Sequence, residues 1–133
     1  MDKMVPEKEY KELIVKKLVS VGLKPEESDL VADVLVHADM RGVRSHGTMR
    51  LEHYCNRIKA GGINLDAKYP LEEIATAAGI IDAQGGMGHV AADIASKIGI
   101  KQAKEKGIYA ISIKNTSHAG ALSYFGEQAV DAG

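Results

Sequence analysis

Cysteine, tryptophan and long apolar runs are scarce or missing in this sequence of 133 residues. The one cysteine, Cys55, has no partner for a disulfide within the chain, which favours a reducing compartment such as the cytoplasm. No apolar stretch approaches the roughly 20 residues that cross a bilayer. The charged start, MDKMVPEKEYKE, also lacks the apolar run of a secretory signal. We therefore expect a soluble, cytoplasmic protein without a membrane span.

An excess of positive charge is also absent. The 17 Lys and Arg residues are balanced by 18 Asp and Glu residues, which gives a formal net charge of -1. Without a basic field, neither nucleic acid nor an acidic membrane is expected as a partner. Four histidines have neither H-E-x-x-H spacing nor cysteine partners, so no metal site is expected: His37, His46, His53 and His89. All of them except His46 are interpreted as surface or packing residues.

Three amphipathic helices are predicted in the first half of the chain. The first spans residues 6–21, and Gly22 is suited to end it. The second spans residues 25–41 and begins at Pro25, a favoured first-turn residue. The third begins at residue 45 or 48 and ends at residue 60, with a buried stripe formed by Leu51, Tyr54, Cys55 and Ile58.

Short strands and helices alternate after Pro70. The pattern predicts strands over residues 71–76, 79–82 and 108–113, and helices over residues 85–106 and 121–132. The fold class is therefore mixed α/β, with an amino-terminal helical portion (residues 1–66) and the start of an α/β sheet portion (residues 67–133). A sheet of so few strands leaves an unpaired edge, so we expect the chain to be an incomplete amino-terminal piece.

The segment RSHGTMR, residues 44–50, places a hydroxyl, an imidazole and a guanidinium at the start of the third predicted helix. Helix amides favour an anion there, and Arg50 is able to grip a carboxylate with two hydrogen bonds. Arg50 and Tyr54 are four residues apart and share a helix face, which His46 joins if the helix begins early. The alternative is that Ser45 caps the helix, Arg50 is a solvated charge and Tyr54 is a core aromatic.

His118 follows a predicted strand, in the kind of loop where α/β folds bind ligands. An imidazole there is able to remove the proton of an alcohol while hydride leaves the same carbon. The alternative is a loop histidine that hydrogen-bonds only its neighbours. The nearby run Gly85-Gly86-Met87-Gly88 has neither the G-x-G-x-x-G spacing nor the P-loop lysine, so it predicts a tight turn into a helix rather than a nucleotide site.

Two stretches of sequence resemble one enzyme family. The stretch VLVHADMRGVRSHGTMRLEHYCNRIKAGGIN, residues 34–64, is similar to the signature of the malate/lactate dehydrogenase family that is unrelated to the Rossmann-type enzymes. The stretch IKNTSHAGALSYFGEQAVDAG, residues 113–133, resembles the histidine loop of the same family. The order and separation of the two stretches also fit, so the resemblance covers nearly the whole chain. It implies the non-Rossmann fold of that family, here a three-helix portion followed by a partial strand-helix sheet unit.

The resemblance implies roles for five residues. His118 matches the proton-transferring histidine, and four residues match positions that line the substrate pocket, where Arg50 faces the carboxylate: Ser45, His46, Arg50 and Tyr54. It also implies NAD as cofactor, with NADP as the alternative, and a homodimer when the protein has the family's length. Most cofactor-binding positions of the family lie beyond Gly133, so no residue here is assigned to NAD and the piece alone is expected to be inactive.

The resemblance further implies a small 2-hydroxy acid as substrate. Lactate and malate enzymes of the family often carry an acidic residue before the Ser-His pair and a phenylalanine after the catalytic histidine. Here those positions hold Arg44 and Ala119. The run HAGALSYF and the His53-Tyr54 pair resemble most the members that oxidise ureidoglycolate to oxalurate. Malate, lactate, sulfolactate or a cyclic imino acid is the alternative substrate, and a non-catalytic, truncated remnant is the alternative from another class.

Overall fold

The structure is a computed structural model, and it describes residues 4–133. In the first half lie α1 (Glu7–Ser20), α2 (Pro25–Met40), two short 3-10 turns (Arg44–His46 and Thr48–Arg50) and α3 (Leu51–Lys59). In the second half lie β1 (Leu71–Ala75), β2 (Ala78–Asp82), α4 (Gly88–Lys106), β3 (Ala110–Lys114) and α5 (Ser123–Asp131). The predicted mixed α/β class is confirmed.

The first two helices follow their sequence signals closely. α1 ends at Ser20, and Gly22 turns the chain with a positive φ of 105°. α2 begins with Pro25 at its first turn and buries one face, including Val31 and Leu35, against α1. These two helices pack because each presents an apolar stripe at a spacing of three to four residues.

The third predicted helix is shorter than the sequence pattern indicates. Gly47 adopts an extended backbone, with φ of -89° and ψ of -152°, and it separates the two 3-10 turns. Regular α-helix therefore begins only at Leu51. The predicted start at residue 45 or 48 thus holds only for 3-10 turns, and the α-helix begins later than predicted. Asp39 of α2 binds the amide and hydroxyl of Thr48 at this point.

The sheet has the order β1-β2-β3. β1 and β2 form an antiparallel hairpin, whereas β2 and β3 are parallel and are joined through α4. β3 begins at Ala110, two residues later than predicted, because Gly107 ends α4 with a φ of 86° and pairing starts opposite Ala78. The carboxyl end of β3 leads directly into the His118 loop, which is the position where open α/β sheets present ligand-binding residues.

The buried core is shared by the helical and the sheet portions. One hydrophobic cluster contains Leu35 from α2, Cys55 from α3 and Ile81 from β2, together with Met87 and Ala91 at the start of α4. This common core fixes the segment between α2 and α3 relative to the end of β3. Within residues 4–133, no helix has the combination of length and apolarity that crossing a bilayer requires.

Candidate active site

The His118 loop is held in place by the glycine turn that precedes α4. The amide of Gly88 donates to Ser117 Oγ at 2.8 Å, and that hydroxyl donates to the Gly86 carbonyl at 3.1 Å. A Cβ at Gly88 would collide with the Ser117 and His118 carbonyls. The predicted tight turn is confirmed, and the glycine allows the loop and the helix start to lie in direct contact.

The imidazole of His118 has two partners on one nitrogen. Tyr54 Oη lies 2.8 Å from His118 Nδ1, and the Gly120 amide donates to the same Nδ1 at 3.2 Å. Burial raises the pKa of Tyr54 to about 12, although the nearby charge of Arg50 works in the opposite direction. The Tyr54 hydroxyl therefore keeps its proton throughout the physiological range and stays able both to donate and to accept.

The surroundings of His118 favour its neutral form. Partial burial lowers its pKa from the ordinary value of 6.5, and the positive charge of Arg50 adds to the lowering, followed by His46 and His53. An imidazole with a lowered pKa carries an available lone pair at neutral pH. That is the protonation state needed to accept a proton from an alcohol.

His46 and His118 face one groove. Their ring centroids are 5.6 Å apart, and both rings line an open cavity of about 530 Å³ together with Val43 and residues 119–123. Ser45 does not cap a helix, because its hydroxyl lies 2.9 Å from His46 Nδ1 instead. The helix-cap interpretation of Ser45 is therefore wrong, and the hydroxyl supports the orientation of the His46 ring.

Arg50 is positioned by the backbone of the same segment. Its Nε donates to the Ser45 carbonyl at 2.7 Å. Ser45 in turn contacts His46, whose ring lies beside that of His118, so Arg50 is linked to the two rings through this segment. The charge of Arg50 lowers the pKa of both Tyr54 and His118. The terminal nitrogens of a guanidinium form a planar fork that matches a carboxylate. The five predicted residues are thus brought together at one place.

Asp39, which follows the buried part of α2, shapes this segment and was not expected from the sequence. Its carboxylate accepts hydrogen bonds from the Thr48 amide at 3.0 Å, the Thr48 hydroxyl at 2.7 Å and the Tyr10 hydroxyl at 3.3 Å. A Cβ at Gly47 would collide with the same carboxylate. No spacing in the sequence reveals these contacts, which join three separate elements.

We expect Asp39→Ala to raise KM for the small 2-hydroxy acid that the family resemblance implies about tenfold while changing kcat little. The reason is that the segment bearing Ser45, His46 and Arg50 loses its anchor, and a misplaced binding group weakens substrate binding by an amount on this order. The unpaired Thr48 amide should also lower the free energy of unfolding by about 1–3 kcal/mol. Steady-state kinetics and denaturant unfolding of the complete protein measure both effects. Asp66→Ala, at an exposed position, is the matched control, and an unchanged KM in Asp39→Ala would contradict the anchoring role.

A second residue near the site, His89, lies completely buried at the start of α4. Its ring packs edge to face against Tyr54, with centroids 5.0 Å apart. Burial lowers its pKa to about 3, with a smaller contribution from His118. The interpretation of His89 as a packing histidine agrees with this environment, but its position beside the candidate site was not foreseen because sequence spacing does not show depth.

The buried His89 makes stability depend on pH. Because its pKa is lowered on folding from 6.5 to about 3, the unfolded chain binds more protons between these values. Its contribution to stability is fully present above pH 6.5 and is lost as the pH falls toward 3. We expect this loss to be on the order of a few kcal/mol and to be absent in His89→Leu. Urea unfolding of both proteins across this pH range measures the difference in the free energy of unfolding. The same dependence on pH in both proteins would show that His89 does not cause it.

The described residues fit the reacting end of a cofactor better than its phosphates. The Gly85–Gly88 turn offers no cradle, because the Cβ positions of Gly86 and Gly88 are already filled by Tyr69 and by the Ser117 backbone. The groove beside His118, in contrast, is open and has apolar residues such as Val43 and Leu122 on its walls. Across residues 4–133, no three His, Cys, Asp or Glu side chains are grouped in a way that could hold a metal ion.

Comparison with known proteins identifies relatives of this chain. Ureidoglycolate dehydrogenase (NAD(+)) of Escherichia coli (strain K12) is 43% identical over 122 residues, which cover 92% of this chain and 35% of that protein. The L-sulfolactate dehydrogenase of Methanocaldococcus jannaschii is 34% identical over 95% of this chain and 36% of its own length. The chain therefore spans about a third of the length of these curated relatives.

Solved structures agree with the sequence comparison. The malate dehydrogenase of Pyrococcus horikoshii OT3 superposes with a TM-score of 0.93 at 36% identity, covering 97% of this chain and 37% of that one. The family model described as malate/L-lactate dehydrogenase matches residues 5–133. Since this match includes both stretches of sequence that form the site, the chain belongs to the malate/L-lactate dehydrogenase family.

Proposed function

We propose that the protein oxidises the CH-OH group of a small 2-hydroxy acid with a nicotinamide cofactor, and that its substrate is ureidoglycolate, which is converted to oxalurate. The main support for the proposal is the environment of His118. Its neutral imidazole lines an open groove, contacts the hydroxyl of Tyr54 and lies near the guanidinium of Arg50. A base, a hydroxyl that bonds to it and a carboxylate receptor in one place suit a 2-hydroxy acid, whose carboxylate and hydroxyl are on adjacent carbons.

In the proposed reaction, Arg50 binds the substrate carboxylate and His118 faces the hydroxyl. His118 accepts the hydroxyl proton, and the C–H bond on the same carbon breaks with its electron pair, so the alcohol becomes a carbonyl. When bound, NAD supplies the acceptor for that hydride. We assign His46, which lines the same groove, the role of holding the substrate oxygen atoms. In the reverse direction, protonated His118 returns its proton to the carbonyl oxygen.

Tyr54 supports both protonation states of His118. The Gly120 amide is only able to donate, so in the resting arrangement neutral His118 accepts at Nδ1 and carries its proton on Nε2. To accept the substrate proton at Nε2, the ring must instead carry its own proton on Nδ1 and donate it to the Tyr54 oxygen. When the ring is protonated, or when the Nδ1–H tautomer forms, the Tyr54 oxygen is able to accept instead. Because burial keeps the Tyr54 hydroxyl protonated, it serves as a reversible partner rather than as a second base.

NAD is proposed as the cofactor because the relative with 43% identity is named as an NAD(+) enzyme. Two sequence features support the ureidoglycolate assignment: Arg44 stands before the Ser-His pair and Ala119 follows His118. A malate or sulfolactate substrate is the second candidate, and the superposition on the malate dehydrogenase with a TM-score of 0.93 favours it.

The test is a comparison of kcat/KM for ureidoglycolate, malate, lactate and sulfolactate, measured by the absorbance of NADH or NADPH formed by the complete protein. We expect ureidoglycolate with NAD to give the highest value. A higher value with malate or sulfolactate would overturn the ureidoglycolate assignment but keep the reaction class. Absence of turnover with every 2-hydroxy acid and either cofactor would overturn the reaction class as well.

A further inference from the structure

The buried ring of His89 has no hydrogen-bond partner at either nitrogen. The residue is completely inaccessible and is the second residue of α4. A buried polar ring without partners is unfavourable for folding, because both nitrogens lose their bonds to water. Folding gains nothing from the polarity of this ring, so any effect of His89 on the neighbouring candidate site comes from its shape.

The ring of His89 contacts both groups that meet His118. It packs edge to face against Tyr54, with an interplanar angle of 81°. It also lies so close to Gly120 that a Cβ there would be 2.7 Å from His89 Nε2 and 2.8 Å from Val34. The Gly120 backbone has a φ of 76°, so it also occupies a conformation that favours glycine.

Both neighbours of His89 are the groups that bind His118 Nδ1, namely the Tyr54 hydroxyl and the Gly120 amide. Loss of the ring would let the Tyr54 side chain and the Gly120 backbone move toward the vacated space, and both contacts to Nδ1 would lengthen. We propose that His89 is a positioning residue that, by packing against both Tyr54 and Gly120, holds these two groups against Nδ1 of His118. The role of His118 as the base rests on the proposed function. The effect of His89 on the contacts to His118 Nδ1 does not depend on it.

The neutrality of His89 is part of this role. With a pKa of about 3, the ring carries no charge at neutral pH, so it supports its neighbours without repelling a proton from His118. The charged or titratable groups that do face His118 are Arg50 and His46 from the 3-10 turns and His53 and Tyr54 from α3. A substitution at position 89 leaves all four of them in the chain.

The test compares His89→Ala, which removes the ring, with His89→Leu, which keeps a similar volume without nitrogen atoms. NMR titration of the His118 imidazole in the complete protein gives its pKa, and the His118→Asn variant assigns the resonance. We expect the pKa of His118 to rise in His89→Ala, because donors to Nδ1 favour the neutral ring and the cavity admits water. In His89→Leu we expect the pKa to stay close to that of the wild type.

Kinetics provide the second measurement. We expect His89→Ala to lower kcat about tenfold with KM changed less than about twofold, because the base is misplaced while the carboxylate site is intact. His89→Leu should restore kcat. An unchanged His118 pKa in His89→Ala, or an equal rise in both variants, would overturn the proposal.

A variant on the other side of the contact keeps the proposal testable if His89→Ala does not fold. Gly120→Ala places a methyl group against His89 and Val34, so it should displace the Gly120 amide from Nδ1 and raise the pKa of His118. An unchanged pKa in a folded Gly120→Ala protein would overturn the positioning role. The NMR measurement needs no turnover, so it is separable from the proposed function, which fails instead if His118→Asn remains fully active.

Discussion

Replacing His118 with asparagine in the complete protein is expected to lower kcat/KM for the hydroxy acid by about 10²- to 10⁴-fold, the usual contribution of a positioned acid or base. Asparagine keeps a polar group of similar reach but has no lone pair that binds a proton near neutral pH. The loss should appear mainly in kcat, because the proposed carboxylate contact with Arg50 is retained. Steady-state oxidation rates measure it.

The control for this substitution is Thr116→Ala, which alters an exposed residue of the same loop. Its kcat/KM should remain within about threefold of the wild type, since exposed substitutions seldom change structure. If His118→Asn turns over substrate as fast as Thr116→Ala, His118 does not transfer the proton and another group must be the base.

Replacing Arg50 with glutamine is expected to lower kcat/KM by about 10²-fold, which corresponds to about 3 kcal/mol, because a charge-assisted bidentate contact to the carboxylate is lost. Most of this effect should be a rise in KM. Arg50→Lys should recover only part of it, because a lysine lacks the planar fork. The substitution by glutamine should also raise the pKa of His118, since the positive charge of Arg50 lowers it.

Arg57→Gln is the matched control for Arg50, because Arg57 lies exposed on α3 and donates only a long contact, 3.4 Å, to the Gly62 carbonyl. We expect its KM to match that of the wild type. An equal rise in KM for both variants would indicate a general effect of surface charge, and an unchanged KM in Arg50→Gln would show that the carboxylate binds elsewhere.

The local features of the fold were predictable from the sequence because they depend on neighbouring residues. The apolar spacing in α1 and α2, Pro25 at a helix start and the glycines after α1 and α4 all act within one or two turns. The loop position of His118 followed in the same way from the strand before it. Its role in a family pocket came from the resemblance, since spacing alone left a plain loop histidine as an alternative.

The features that were missed depend on contacts between distant residues. The third helix begins late because Asp39 accepts hydrogen bonds from Thr48, nine positions away, and from Tyr10, 29 positions away. The depth of His89 likewise follows from the packing of α4 against α3 and the His118 loop. No periodicity within one element encodes such contacts. Both missed residues hold other site residues in place rather than face the groove.

The most direct test of the account is the pH dependence of kcat/KM for hydroxy acid oxidation by the complete protein, compared with that of His118→Asn. We expect the wild-type kcat/KM to fall on the acid side with an apparent pKa below 6.5, because protonated His118 is unable to accept the hydroxyl proton. The residual activity of the asparagine variant should lack this fall. The same acid fall in both proteins would contradict the assignment of His118 as the base.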